Sequence, residues 1–169
     1  MIQRVQRERI GDIPDWTELA KKHLVIESNE DDVLVEFLLS AAFDNVETYC
    51  NVSLVESEIK MYIQSATEGD TSELLYSPVT EILEHEGCEI SHLDSGQPIF
   101  RMNDSDGYIR YKAGFNPIPD GYKLAVIKLV TDNFEQRAGF SMSGRLTLME
   151  YPNNWKKSVA SLRRRTFIT

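Results

Sequence analysis

Asp31-Asp32-Val33-Leu34-Val35-Glu36-Phe37-Leu38-Leu39-Ser40-Ala41-Ala42-Phe43-Asp44-Asn45-Val46-Glu47-Thr48-Tyr49 is the most strongly helical passage of this chain. Leu34, Phe37, Leu38, Ala41, Ala42, Asn45 and Tyr49 recur at three- and four-residue intervals, the period of one helix face. Val35 and Leu39 widen the stripe past a single face. A helix apolar over so much of its circumference is either central to its own fold or packed on a neighbouring subunit. Asp31 and Asp32 lie where a helix N-terminus favours negative charge, so a helix is expected over 31–50.

Upstream, Asp15 and Glu18 are spaced as a capping box ahead of Leu19, Ala20 and Leu24, which predicts a helix over 15–25. Before it, residues 1–12 carry Arg4, Arg7 and Arg9 and read as a basic N-terminal extension. Downstream the period changes. Ile59, Met61 and Ile63 alternate with Lys60, Tyr62 and Gln64, the pattern of a half-buried strand. Short strands follow around Ile82-Leu83 and Cys88–Ile90. Ile99–Met102 and Tyr108–Tyr111 flank Asn103-Asp104-Ser105-Asp106-Gly107, read as a hairpin with positive φ supplied at the Asp-Gly turn. Residues 59–112 therefore form a small antiparallel β-element. Pro117 and Pro119 then stiffen a hinge, and Tyr122, Ala125, Val126, Leu129, Val130 and Phe134 predict a helix over 120–138 with Gly139 at its end.

The expected fold is mainly α, a bundle of about four helices with an inserted antiparallel β-hairpin or small sheet, formally α+β. Its parts are a basic extension (1–12), a core (13–139), and a C-terminal loop, short helix and basic tail (140–169).

At 169 residues, 41% hydrophobic and 27% charged, the chain has the composition of a globular protein with one main core. No apolar run approaches the ~18 residues of a membrane span. The first residues lack the apolar stretch of a secretory signal, and Cys50 and Cys88 are too few for a disulfide framework. A soluble, reduced, intracellular protein is expected. Its net charge of -9 conceals a polarity. Residues 11–99 hold 20 Asp/Glu against three Lys/Arg, whereas residues 100–169 hold 12 Lys/Arg against six Asp/Glu. Such a polarised chain suits head-to-tail contact between copies or docking of one end on an acidic partner.

Enzymatic constellations are weak. Aligning Gly107 with the glycine of a calcium loop puts Met102 and Ala113 at ligand positions, which neither side chain can fill. His85, Cys88 and His92, with Glu84, Glu86 and Glu89, offer metal-capable atoms, but H-x2-C-x3-H is no standard zinc spacing and a strand would not place all of them on one face. Gly139-Phe140-Ser141-Met142-Ser143-Gly144 misses the nucleophile-elbow spacing by one residue, and no phosphate-binding glycine loop occurs. No catalytic, cofactor or metal residue is assigned. Arg163-Arg164-Arg165, with Phe167 beside it, is the cationic cluster that would contact phosphates if the chain bound nucleic acid. A nucleic-acid-binding accessory protein acting through that tail is the main alternative function, and a metal-dependent enzyme at His85/Cys88/His92 a weaker one.

Several passages resemble the head–tail connector (adaptor) proteins of tailed phages. They are Trp16–Leu24 followed by Asp31–Ala42 with Val46, Glu47 and Tyr49, then Leu75-Tyr76-Ser77-Pro78-Val79 with Ile82. Tyr111-Lys112-Ala113-Gly114-Phe115, Ile118-Pro119 and Leu124–Arg137 continue the match, and the Pro152 to Leu162 ending followed by arginine completes it. The triple Arg with Phe167 departs from the family's usual ending. The resemblance spans roughly residues 14–165 and implies a structural, non-enzymatic virion protein without cofactor. It implies a homo-oligomeric, twelve-fold ring beneath the portal protein, extending the channel for non-specific passage of viral DNA and docking the stopper or tail-completion protein, with no membrane contact. Acidic residues facing a lumen would keep DNA sliding. In this frame Arg4, Arg7, Arg9, Trp155, Arg163, Arg164, Arg165 and Phe167 are the candidates for partner docking. Gly114, Pro117 and Pro119 form a structural hinge, and Arg137 either pairs with Glu36 or Glu47 or is an ordinary helix-end cation.

Overall fold

The computed structural model describes residues 1–93, 96–139 and 154–163. Among these, Met1–Asp12 and Asn51–Ile118 form one compact unit, and Ile13–Cys50 with Pro119–Arg163 form another.

The first unit is built of strands. β1 (Ile2–Arg9), β2 (Ser57–Gln64), β7 (Gly107–Ala113) and β4 (Val79–Glu86) make a four-stranded sheet in the order β1-β2-β7-β4, each neighbour antiparallel. β3 (Thr71–Glu73), β6 (Pro98–Met102) and β5 (Cys88–His92) make a second sheet in the order β3-β6-β5. Alternation in β2 explains the packing: Ile59, Met61 and Ile63 are buried, whereas Glu58, Lys60 and Tyr62 between them are not. These three join Ile109, Tyr111 and Ala113 of β7, Phe100 and Met102 of β6, Cys88 of β5 and Leu74 in one cluster, so both sheets share a core. Each large apolar side chain buried there contributes about 1.5–3 kcal/mol relative to exposure. The Tyr111 hydroxyl donates to the Leu75 carbonyl, which satisfies the polar end of the largest fully buried side chain.

The second unit holds four helices: α1 (Thr17–Leu24), α2 (Asp32–Cys50), α3 (Asp120–Gly139) and α4 (Asn154–Val159). Asp15 accepts the Thr17 backbone N–H at 3.0 Å, and that bond holds its carboxyl below the usual carboxylate range. On α2 the buried row is Val35, Leu39, Ala42, Phe43, Val46 and Cys50. It packs with Ala125, Val126, Leu129 and Val130 buried on α3, and Trp16 stacks on Phe43 with ring centroids 4.9 Å apart.

A mainly helical bundle is thus not what forms. Strand and helix are near equal, about 32% and 34% of the chain, and the described residues contain seven strands and four helices. Two features of the chain account for the difference. The stretch 1–12, expected to be a basic extension, contains β1, whose Gln and Arg side chains conceal an alternation between exposed and half-buried positions. The hairpin joining Ile99–Met102 to Tyr108–Tyr111 does not exist as a pair: β6 and β7 belong to different sheets. Phe100 and Met102 of one, and Ile109 and Tyr111 of the other, join the shared core from different sheets, so the connection passes between sheets. β4 reaches β5 through Gly87 alone, whose φ of +73° is the left-handed conformation expected at Gly107 instead. Gly107 is needed for a different reason, because a Cβ there would lie 2.5 Å from the Glu86 carbonyl oxygen.

Candidate functional site

Two surfaces stand out, each within one unit. In the strand unit the solvent face of the four-stranded sheet is a grid of charge. Register aligns Arg4, Tyr62, Tyr108 and Glu86 in one row, Gln6, Lys60, Arg110 and Glu84 in the next, and Glu8, Glu58, Lys112 and Glu81 in a third. Arg110 Nε meets Glu58 Oε1 at 2.6 Å, and this hydrogen bond lowers the Glu58 carboxyl and raises the guanidinium. Lys112 Nζ lies 3.4 Å from Glu81 Oε2. The Tyr108 hydroxyl donates to Glu84 Oε1, which pushes the phenol up to about 12. Lys60 Nζ sits 5.3 Å and 5.0 Å from the ring centroids of Tyr62 and Tyr108. β4 has register irregularities between Val79/Glu81 and Ile82/Glu84. They bring Glu81, Glu84 and Glu86 to the same face despite a spacing of three then two. Strict alternation hides this acidic edge in the sequence.

In the helical unit the exposed apolar residues include Leu19, Val25, Val33 and Phe37, with Val33 79% and Phe37 68% exposed. The face of α2 identified from spacing is therefore split. Ala42 belongs to the buried row, Leu34, Leu38, Ala41 and Tyr49 lie half-buried, and Phe37 and Asn45 are exposed. An open pocket of about 520 Å³ is lined by His23, Lys128, Thr131, Asp132, Lys157 and Ser158, with Lys128 Nζ 2.9 Å from Ser158 Oγ. Burial, then the neighbouring Glu135, raises the Asp132 carboxyl.

The described docking candidates fall in both units, Arg4, Arg7 and Arg9 in the strand unit and Trp155 and Arg163 in the helical unit. Arg4 is on the exposed face of β1, whereas Arg7 and Arg9 are on the half-buried face, Arg7 with its guanidinium 4.9 Å from the centroid of Tyr76. Trp155 is 6% exposed and meets Tyr49 edge-on at 5.2 Å, so it anchors α4 within its own unit. Arg163 lies 4.7 Å from the centroid of the same Tyr49 ring. Arg164, Arg165 and Phe167, and the Gly139–Gly144 motif beyond Gly139, lie outside the described residues. The side chain of Arg137 does too; of its expected partners, Glu36 is exposed and Glu47 buried.

Gly114 closes β7 with its N–H donating to the Pro78 carbonyl at 3.0 Å, and a Cβ would fall 2.7 Å from the Glu56 backbone. The unit boundary falls between Ile118 and Pro119. Pro117 precedes it after a cis peptide, and the Pro119 carbonyl accepts the Tyr122 N–H at 3.0 Å at the start of α3. His85 is on β4, whereas Cys88 and His92 are on β5 of the other sheet; His85 Nδ1 lies 3.1 Å from the Cys88 carbonyl oxygen. Burial raises both thiols, Cys50 to about 11, which keeps them protonated at neutral pH. The Asn103–Gly107 turn directs Asp106 Oδ1 to the Ser65 N–H at 3.2 Å. Among the described residues no three His, Cys, Asp or Glu side chains gather as a metal site, and no helix is long and apolar enough to cross a membrane.

The fold is therefore an α+β chain of two units, a double-sheet strand unit and, among the described residues, a four-helix unit. That fold is shared with chains of gene transfer agent (GTA) particles. One is from the neck of an empty GTA particle computed with C6 symmetry, with TM-score 0.66 and 16% identity over 96% of this chain and 97% of that one. Another is from the neck of a native GTA particle computed with C12 symmetry, with TM-score 0.64 and 15% identity over the same shares. A third is from the virion of a native GTA particle, with TM-score 0.63, 15% identity and the same coverage. No protein-family model and no curated protein sequence matches the chain.

Proposed function

We propose that this chain is a structural neck protein of a tailed-phage-like particle. It assembles as a ring beneath the portal, extends the DNA channel and docks the stopper or tail-completion protein. The observation that carries this reading is the extent of the likeness to neck chains: 96% of this chain and 97% of theirs, so both units are matched. The symmetry stated for those necks, C6 and C12, supports a ring of this chain, and twelve copies is the number we adopt. Exposed apolar residues such as Val33 and Phe37 suit subunit packing, since surfaces of that kind mark association sites. Its work is mechanical, with no bond made or broken, and its place is the head–tail junction of a virion.

Mixing the purified chain with portal protein and measuring mass in solution, then imaging, tests this. Rings seated on portals are the expected result. A chain that remains monomeric with and without portal, and is missing from purified particles, overturns the reading.

A further inference from the structure

Among the described residues, the four-stranded sheet is bounded by β1 and β4, two edges of opposite charge that pair with no further strand. β1 (Ile2–Arg9) and β4 (Val79–Glu86) are each eight residues long. β1 holds three Arg and one Glu, whereas β4 holds three Glu and no Lys or Arg. On the solvent face Arg4 marks one end of a row of four residues and Glu86 the other, with Tyr62 and Tyr108 between. Arg4, Glu84 and Glu86 are all exposed. An uncovered edge is a row of unpaired N–H and C=O groups, a template for another strand.

We propose that β1 of one copy of this chain lies along β4 of the next, with Arg4 facing Glu84 and Glu86. The proposal deepens the ring reading above and rests on it for closure. Strand direction favours this pairing. Every neighbour in the sheet is antiparallel and the strands number four, so β1 and β4 run in opposite directions. A second copy added head to tail keeps the alternation unbroken across the junction. Charge then selects between this and two-fold pairing. Two β1 edges would oppose arginines and two β4 edges would oppose glutamates, and like charges directly opposite are destabilising. Only unlike edges attract, which makes the contact heterologous, the type that closes into rings. The irregularities early in β4 confine regular pairing to its Glu84–Glu86 end, where the acidic residues face Arg4.

The test uses the full chain with Arg4→Cys and either Glu84→Cys or Glu86→Cys together, oxidised at high protein concentration; Cys50 and Cys88 are buried and stay in place. A ladder of covalent multimers beyond the dimer is expected, and neither single variant should produce it. A dimer from Arg4→Cys alone, or no multimer from either double variant, overturns the proposal. In parallel, Arg4→Glu should raise the concentration for half-assembly about fivefold, and Arg4→Glu with Glu86→Arg should restore it. Wild-type melting temperatures verify that these variants fold. If rings form by sedimentation while both double variants stay uncrosslinked, the ring reading stands and the edge junction falls. If the wild-type chain forms no ring under any condition, both fall.

Discussion

Lys21 is buried in α1, and its ammonium lies 2.7 Å from Asp32 Oδ1 at the start of α2 and 2.8 Å from Asn29 Oδ1 in the connection between them. The Lys21 side chain is only 4% exposed, whereas Asp32 is 33% exposed. A buried ammonium without its acceptors cannot regain water, so this clasp joins the two helices more tightly than surface ion pairs do. Replacing Asp32 by Ala should cost about 2–3 kcal/mol in urea unfolding, the partial exposure of the carboxylate keeping it below the loss at fully buried pairs. Lys21→Met with Asp32→Ala should recover most of that loss, because no unpaired charge is left behind. An additive double variant would contradict the clasp.

The Gly114→Ala variant should be destabilised by about 1–3 kcal/mol, because the added methyl meets Glu56 backbone at 2.7 Å and backbone cannot swing aside. Gly69→Ala should lose less, about 1 kcal/mol, since only the tip of Arg101 lies near and the penalty is confined to its positive φ. Equal losses at the two sites, measured by denaturant midpoint, would refute the close-approach explanation.

Tyr108 titrates late because its hydroxyl donates to Glu84. Its folded value, about 12, stands above the ordinary 10, so the associated stability is complete below pH 10 and lost as pH rises through about 12. Absorbance titration of Glu84→Gln should show this phenol ionising closer to 10. An unchanged curve would contradict the pairing.

At the acid end the sign reverses. Glu58 is lowered below its ordinary 4.5 by the Arg110 hydrogen bond, so its contribution is present above pH 4.5 and fades as pH falls through the folded value. Glu58→Gln should flatten the acid limb of the stability profile, and an unaltered limb would sink the assignment.

Phe37 is exposed on α2 while Trp155 is enclosed by its own unit, which predicts opposite phenotypes. Phe37→Ser should leave monomer stability within about 0.5 kcal/mol of wild type and weaken assembly. Trp155→Ala should destabilise the monomer by about 3 kcal/mol through loss of aromatic burial. Sedimentation and thermal melting of both variants separate the two effects.

Sequence periodicity located three helices to within a few residues: 15–25, 31–50 and 120–138 against Thr17–Leu24, Asp32–Cys50 and Asp120–Gly139. Those elements were legible because each carries a local apolar repeat. β2 was legible for the same reason. β1 was not, since its half-buried face is Gln3, Val5, Arg7 and Arg9, polar enough to resemble a solvated arm. The acidic row Glu81, Glu84 and Glu86 is not legible in the sequence because irregularities in β4 alter the period that spacing arguments assume.

The amino-acid order alone determined three of the helices and β2, the polarity between its acidic middle and basic ends, and the lack of any standard catalytic spacing. Folding decided which strands share a sheet, that β6 and β7 part company, and that Arg4 and Glu86 occupy opposite ends of one row. The division has a physical origin. Helical periodicity arises from neighbours three and four residues apart, whereas strand partnership is settled by whichever distant segment completes the common core.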